Sequence, residues 1–447
     1  MQAHSSDILD QLLSLLEDGD DMVLHNFFEH RHPSEVADLI ESVTPEQRSQ
    51  IWTAVDIEQA GEVLTELNEG VLTTLIDDID HHRLVKSMIH LDIDDIADLI
   101  PDLPESVVSD VLFAIDQATR KSLGEVLAFP EDSAGGLMNT DAVVVRDDIS
   151  LEVAMRFLRL KDELPKNTDT IFLVNRNSQL TGIMPINRLI TAAPSQPIRQ
   201  HVIKDPIIFS VLDLDDDVAK TFTDYNLISA PVVDEQNQLV GRITIDDVVD
   251  VIIEDAEQEA FARAGLKQDE DLFSSVASST RNRALWLGVN LITALIGSWV
   301  IGQFEGTIKQ LVALAVLMPI VASMGGNAGT QTLTIVIRGL SNGTIQKQNI
   351  MPLLKKEFLV GSLNGVIWAI AIALIATTWY HDIQLGGIIA LAMLTNLIVS
   401  AIAGVVLPIA LEKLHIDPAL AGGVALTTVT DVVGYFSVLG LAALFLV

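Results

Sequence analysis

The chain has 447 residues, no cysteine and a formal net charge of −34. That excludes disulfides and thiolate metal sites, and it argues against nucleic-acid binding, which needs clustered Lys and Arg. Beyond Arg283 the acids are Glu305, Glu357, Asp382, Glu412, Asp417 and Asp431 and the bases are Lys309, Arg338, Lys347, Lys355, Lys356 and Lys413, so the whole surplus lies in residues 1–283. An acidic front followed by a neutral, apolar back is expected, and the front suits cations or basic partners. The opening MQAHSSDILDQLLSLLEDGDD lacks a basic stretch and a sustained apolar core, so no cleaved signal peptide is expected.

From Ile8 to about Phe129 apolar residues recur at three- and four-residue intervals, punctuated by Pro33, Pro45, Pro101 and Pro104. This spacing predicts short amphipathic helices in a domain over residues 1–130. Glu35-Val-Ala-Asp-Leu-Ile40 returns as Asp95-Ile-Ala-Asp-Leu-Ile100, and Thr44-Pro45-Glu46 is answered by Leu103-Pro104-Glu105. A helix-pair repeat of this kind stacks into a small superhelix. His81 and His82 read as a solvated helix end.

After Pro130 the texture changes to short β-branched runs at 142–145, 170–174, 180–184, 207–210, 230–233 and 239–243, with helical patterns between them. Leu173-Val-Asn-Arg-Asn-Ser-Gln-Leu-Thr-Gly-Ile-Met is echoed by Val232-Val-Asp-Glu-Gln-Asn-Gln-Leu-Val-Gly-Arg-Ile, placing Gly182 and Gly241 alike. The segment resembles a tandem pair of CBS domains, a βαββα module, over residues 131–251. The resemblance implies ATP as a ligand at Gly241, Thr244 and Asp247. The first copy carries Pro185 and Arg188 instead, and a purely structural pair is the alternative.

Residues 245–270 continue as an acidic connecting helix. Ile245, Val248, Val249, Ile252, Ala256 and Ala260 share one face, while Asp246, Asp250, Glu254 and Glu257 line another, with Asp247, Asp255 and Glu259 beside them. Like charges four apart destabilise a helix, so the ridge asks for counter-ions or for solvent. Asp92, Asp94 and Asp95, and Asp213, Asp215, Asp216 and Asp217, extend the pattern. Mg²⁺ keeps most of its waters and needs one or two carboxylates per site, so pairs facing each other across domain interfaces suffice.

Five apolar stretches follow within 284–447, at 284–304, 308–337, 358–380, 385–411 and 419–447, each near or above the ~20 residues that cross a bilayer. In the second, PIVASMGGNAGTQ predicts a break halfway along, and Thr427, Thr428, Thr430 and Asp431 put polar groups in the fifth. A carboxylate at such depth marks an ion path by default. Asn327, beside Gly325 and Gly326, and Asp431 with Thr427 one turn before it offer one charge and several neutral oxygens. That set suits a hard divalent ion held through its water shell, and interhelical hydrogen bonding is the alternative for Asn327 and the threonines. With the acidic front in the cytoplasm, Arg281, Arg283, Arg338, Lys347, Lys355, Lys356 and Lys413 face inward and only Lys309 outward. The positive-inside rule then puts the N-terminus in the cytoplasm and the C-terminus outside a cell membrane.

The order of parts is an all-α superhelical N-terminal domain, an α/β tandem CBS pair, a long connecting helix and an all-α membrane domain with five spans. Together with PIVASMGGNAGTQ, Asp417-Pro-Ala and Thr427-Thr-Val-Thr-Asp431, it resembles the MgtE family of Mg²⁺ channels. The resemblance implies a homodimer in the lipid bilayer with a pore on its two-fold axis. The pore group would comprise Asp431, Thr427, Asn327, Gly325, Gly326 and Asp417. It also implies a cytosolic Mg²⁺ sensor, to which Asp94, Asp95, Asp216, Asp246, Asp247, Asp250, Asp255 and Glu259 are assigned, and a connecting helix acting as a plug. Gln258, Asn226 and Gly423-Val424 depart from the family pattern. The expected function is Mg²⁺ uptake, not catalysis, shut by cytosolic Mg²⁺. The alternatives are transport or export of Co²⁺ or Mn²⁺, and a nucleotide-sensing membrane protein.

Overall fold

The computed structural model describes residues 2–161, 163–266 and 271–446. Two compact units result, Met1–Glu257 with Gln268–Ser274, and Gln258–Lys267 with Ser275–Val447.

The first unit opens with ten α-helices from Gln2–Asp18 to Gln117–Val126. Short polar residues start them: Asp20, Asp56, Asp80 and Asp116 accept from backbone N–H groups of the following turn, and Thr44 with Gln47 forms a capping box. Helices pack on the next but one, Pro33–Glu41 on Ile57–Thr65, then His81–Met88, then Glu105–Ala114. The sequence echo falls on equivalent buried positions, Val36, Ala37, Leu39 and Ile40 in one copy and Ile96, Ala97 and Leu99 in the other.

Two three-stranded sheets follow, β1 (Val144–Arg146), β2 (Thr170–Val174) and β3 (Leu180–Pro185), then β4 (Phe209–Ser210), β5 (Ser229–Val233) and β6 (Leu239–Thr244). Each sheet has a parallel then an antiparallel pairing in sequence order, and Leu173 sits opposite Gly182 as Val232 sits opposite Gly241. Both glycines face a crossing backbone. A Cβ on Gly182 would stand 2.6 Å from the Ile203 carbonyl, and one on Gly241 2.8 Å from the Asn139 carbonyl, so the echo records a packing need. The second sheet shares one apolar core with the helical domain, through Phe209, Val218, Phe222, Val232 and Val248, whereas the first has its own.

The connecting helix, Ile245–Ala264, ends where Gly265 takes a φ of +69°. Gly265 N–H donates to Ala262 and Leu266 N–H to Phe261, the paired bonds of a Schellman stop.

The second unit has five long apolar helices, Val276–Gln303, Ala313–Ser341, Ile350–Tyr380, Ile383–Lys413 and Pro418–Phe445, here called the first to fifth spans. A short helix, Glu305–Gln310, precedes the second, whose start therefore falls later than the sequence suggests. The expected break is absent: the second span is continuous through Pro319, Gly325 and Gly326. Pro319 stands in its second turn, where the lost N–H bond and ring clash disturb little helix, and the glycines admit the neighbouring spans. The fourth span is central, packing on the second, third and fifth, and the first packs on the fifth.

Candidate functional site

The second and fifth spans run antiparallel in close contact. Built Cβ atoms on Gly326, Gly329 and Gly422 would meet Thr430, Leu426 and Leu333, and one on Gly434 would meet Ala322. Asn327 therefore lies level with the turn between Thr427 and Asp431. Small residues at helix contacts allow this approach in lipid, where no hydrophobic force draws helices together. Asn327 and Thr427 are exposed, and Asp431 is half-buried, as is Gly326. Ser323, Thr330 and Gln331 are exposed too, so a polar stripe on the second span runs beside the polar turn of the fifth.

Gly325 faces the other way and is buried. A Cβ there would lie 2.1 Å from Asn396 Nδ2 of the fourth span. Asn396 is fully buried and donates to the Val321 carbonyl at 2.8 Å, while its Oδ1 and the Ser400 hydroxyl have no partner among the described residues. Asp417 is not brought to this group. It caps the fifth span, accepting from Ala419 N–H at 2.7 Å, and stands about 21 Å along the helix from Asp431 at 1.5 Å per residue. A carboxylate one residue before a Pro-initiated helix signals a cap at least as strongly as an ion ligand.

In the first unit the acidic groups converge. Asp94, 8% exposed, accepts from Asn139 Nδ2 at 2.9 and 3.0 Å. Burial, with Asp95 and Asp92 near, pushes its carboxyl up to about 7. Asp247 accepts from Thr244 N–H and Oγ1, both at 3.0 Å, and burial with Asp94 opposite raises it to about 8. Asp95 is raised to about 6 by burial and by Asp92. Asp250 is raised to about 6, by burial first and then by Glu66 and Asp246, and Asp255 is shifted upward by burial and by Asp216. Asp246 is held by Asn167 at 2.5 Å and by Thr244 Oγ1. Glu259 lies past Glu257, in the stretch of the helix that groups with the spans.

Helical-domain, CBS and connecting-helix carboxylates thus crowd one another with few cations between them. Lys166, paired with Glu62 at 3.5 Å, is one such cation. Among the described residues no group of three or more His, Asp or Glu side chains is arranged to hold a metal ion. The arrangement instead offers single carboxylates and pairs, and a hydrated Mg²⁺ needs only one or two carboxylates. The nucleotide set is spread over other tasks, Gly241 against Asn139 and Thr244 as the cap that binds Asp247.

A family model described as a divalent cation transporter, MgtE, matches residues 318–441; another for the MgtE intracellular N domain matches 31–132, and a CBS model matches 198–254. The magnesium transporter MgtE of Bacillus subtilis (strain 168) is 28% identical over 438 residues, 98% of this chain and 97% of its own length. That of Thermus thermophilus is 28% identical over 444 residues, 97% of this chain and 98% of its own. The chain belongs to the MgtE family. It is therefore a multi-pass membrane transporter rather than an enzyme. A solved cytosolic domain of the Mg²⁺ channel MgtE in complex with ATP aligns with 54% of this chain and 99% of its own, at 28% identity and a TM-score of 0.50.

Several groups carry weight that the sequence did not disclose. Glu66 and Asn139 belong to the carboxylate interface, yet a lone Glu or Asn in a soluble helix or loop gives no signal. Asn396 was the findable one, as a polar residue inside an apolar span.

Proposed function

We propose that the chain is a Mg²⁺ channel that works as a homodimer, with its ion path along the polar faces of the second and fifth spans. The observation that carries this reading is the exposed stripe of Ser323, Asn327, Thr330 and Gln331 beside Thr427 and Asp431. Lipid cannot satisfy such a surface, so it must line water or meet another chain. One carboxylate with neutral oxygens fits a hydrated hard cation. The relatives named as magnesium transporters and the solved Mg²⁺ channel domain favour Mg²⁺.

Closure follows from the carboxylate interface of the first unit. At low cytosolic Mg²⁺ the ionised pairs repel; two charges ~4 Å apart interact by about 4 kcal/mol at an effective dielectric near 20. Shared Mg²⁺ neutralises them and favours the compact form. Two features lie along the chain between this interface and the first span. Arg48 of the helical domain makes a buried two-point ion pair with Asp271, at 2.7 and 2.8 Å, shortly before the first span begins at Val276. Gly265, at the end of the connecting helix, lies against Trp286 of the first span.

ATP binding at the CBS pair is a second proposal, favoured by the solved complex. Calorimetry with ATP tests it, and absence of heat removes it. For the pore, Asp431→Ala in liposomes is expected to abolish Mg²⁺ uptake, and unchanged uptake would defeat the assignment.

A further inference from the structure

Among the described residues, one buried carboxylate within the spans is unused by this pore. Glu357 of the third span is 3% exposed. Its Oε2 accepts from Thr332 Oγ1 of the second span at 3.1 Å, and its Oε1 meets the Lys356 ammonium at 2.7 Å. A carboxylate has about four acceptor sites, so these two partners leave capacity spare.

That capacity has space beside it. A cavity of about 130 Å³ between the second, third and fourth spans is lined by Glu357, Thr332, Gln331, Asn364 and Lys356 and also by apolar residues such as Ile335, Val360 and Leu397, room for several waters. The polar lining is one carboxylate, one hydroxyl, two side-chain amides and one ammonium, without sulfur or imidazole. Hard oxygen donors of that kind select Mg²⁺, Mn²⁺ or Ca²⁺ over softer metals. The Lys356 side chain is 59% exposed, so its ammonium can swing into solvent at little cost, whereas the carboxylate cannot leave.

We propose that this cavity is a second divalent-cation site, in which a hydrated Mg²⁺ takes the place of the Lys356 ammonium on Glu357. The proposal rests on the chain being a cation transporter; the cavity shares Gln331 with the stripe beside Asp431, but Glu357 and Thr332 do not belong to that path. Through Thr332, the site touches the span that carries Asn327, so occupancy would bear on that span's position.

The test is anomalous scattering from Mn²⁺ in crystals of the full-length wild type, Lys356→Gln and Glu357→Gln. A Mn²⁺ peak in the cavity is expected in the first two and not in the third. The Lys356→Gln site should half-fill at a roughly fivefold lower Mn²⁺ concentration, the factor set by losing an exposed ion pair. Thermal unfolding in detergent gives a second reading: Mn²⁺ should raise the melting temperature more in Lys356→Gln than in Glu357→Gln, which keeps every other cation site but lacks this one. Absence of a cavity peak in both wild type and Lys356→Gln, or a peak that persists in Glu357→Gln, overturns the proposal whatever is seen at Asp431. A peak at Asp431 reports separately on the pore.

Discussion

Asp94 and Asp247 face each other from the helical domain and the connecting helix, with carboxyls raised to about 7 and 8. A raised carboxyl favours the compact arrangement while it holds its proton, and that contribution is lost as pH climbs from about 4 through 8. If these carboxyls form the proposed Mg²⁺ sensor, protons and Mg²⁺ compete for the same oxygens. Mg²⁺ binding near pH 7 should release protons, seen as a dependence of the calorimetric heat on the buffer's ionisation enthalpy, and the release should vanish near pH 9. Buffer-independent heat at pH 7 would contradict this. Arg48 and Asp271 show the opposite electrostatics, with the guanidinium holding Asp271 below its usual range. Arg48 also donates to the Ile40 and Val43 carbonyls at 3.1 Å. Removing one partner of a buried pair costs about 3–5 kcal/mol, so Arg48→Met should lower the first thermal transition by about 10 °C. An unchanged transition would mean that the pair is not held in solution.

The strands of both CBS copies were legible because alternation and β-branched runs report local backbone preference, and β2, β3, β5 and β6 lie on the expected stretches. The helix repeat was legible for the same reason. The second span was misread because Gly-Gly-Asn and Pro break helices in water, while inside a bilayer packing and the lack of solvent partners preserve them. What Gly325 does depends on Asn396, far off in sequence, which no local pattern reveals. Gly325→Ala should destabilise the bundle by about 1–3 kcal/mol through overpacking, and adding Asn396→Ala should recover part of the loss in detergent melting. A double variant no better than Gly325→Ala would show that the two side chains do not compete for space. Glu357 lay in plain view as a charge at a span's edge, but only the fold gives it Thr332 and a cavity.

The division of the molecule was the most legible feature, since the charge surplus ends where the spans begin. The proposed orientation rests on charge asymmetry and the proposed homodimer on the resemblance and an exposed polar stripe, properties of the whole assembly rather than of any helix. Neutralising Asp246, Asp247 and Asp250 together should lower the Mg²⁺ needed for closure, because fewer ionised pairs then repel and less charge has to be offset by a shared ion. The measurement that bears most directly on the mechanism is Mg²⁺ flux through the full-length protein in liposomes, with Mg²⁺ set independently on the two sides. Flux should fall as Mg²⁺ rises on the cytosolic face, the triple Asn variant should shift that fall to lower Mg²⁺, and Asp431→Ala should carry none. Flux indifferent to cytosolic-side Mg²⁺, or an Asp431→Ala variant that conducts like the wild type, would contradict a conduit shut by its own acidic front.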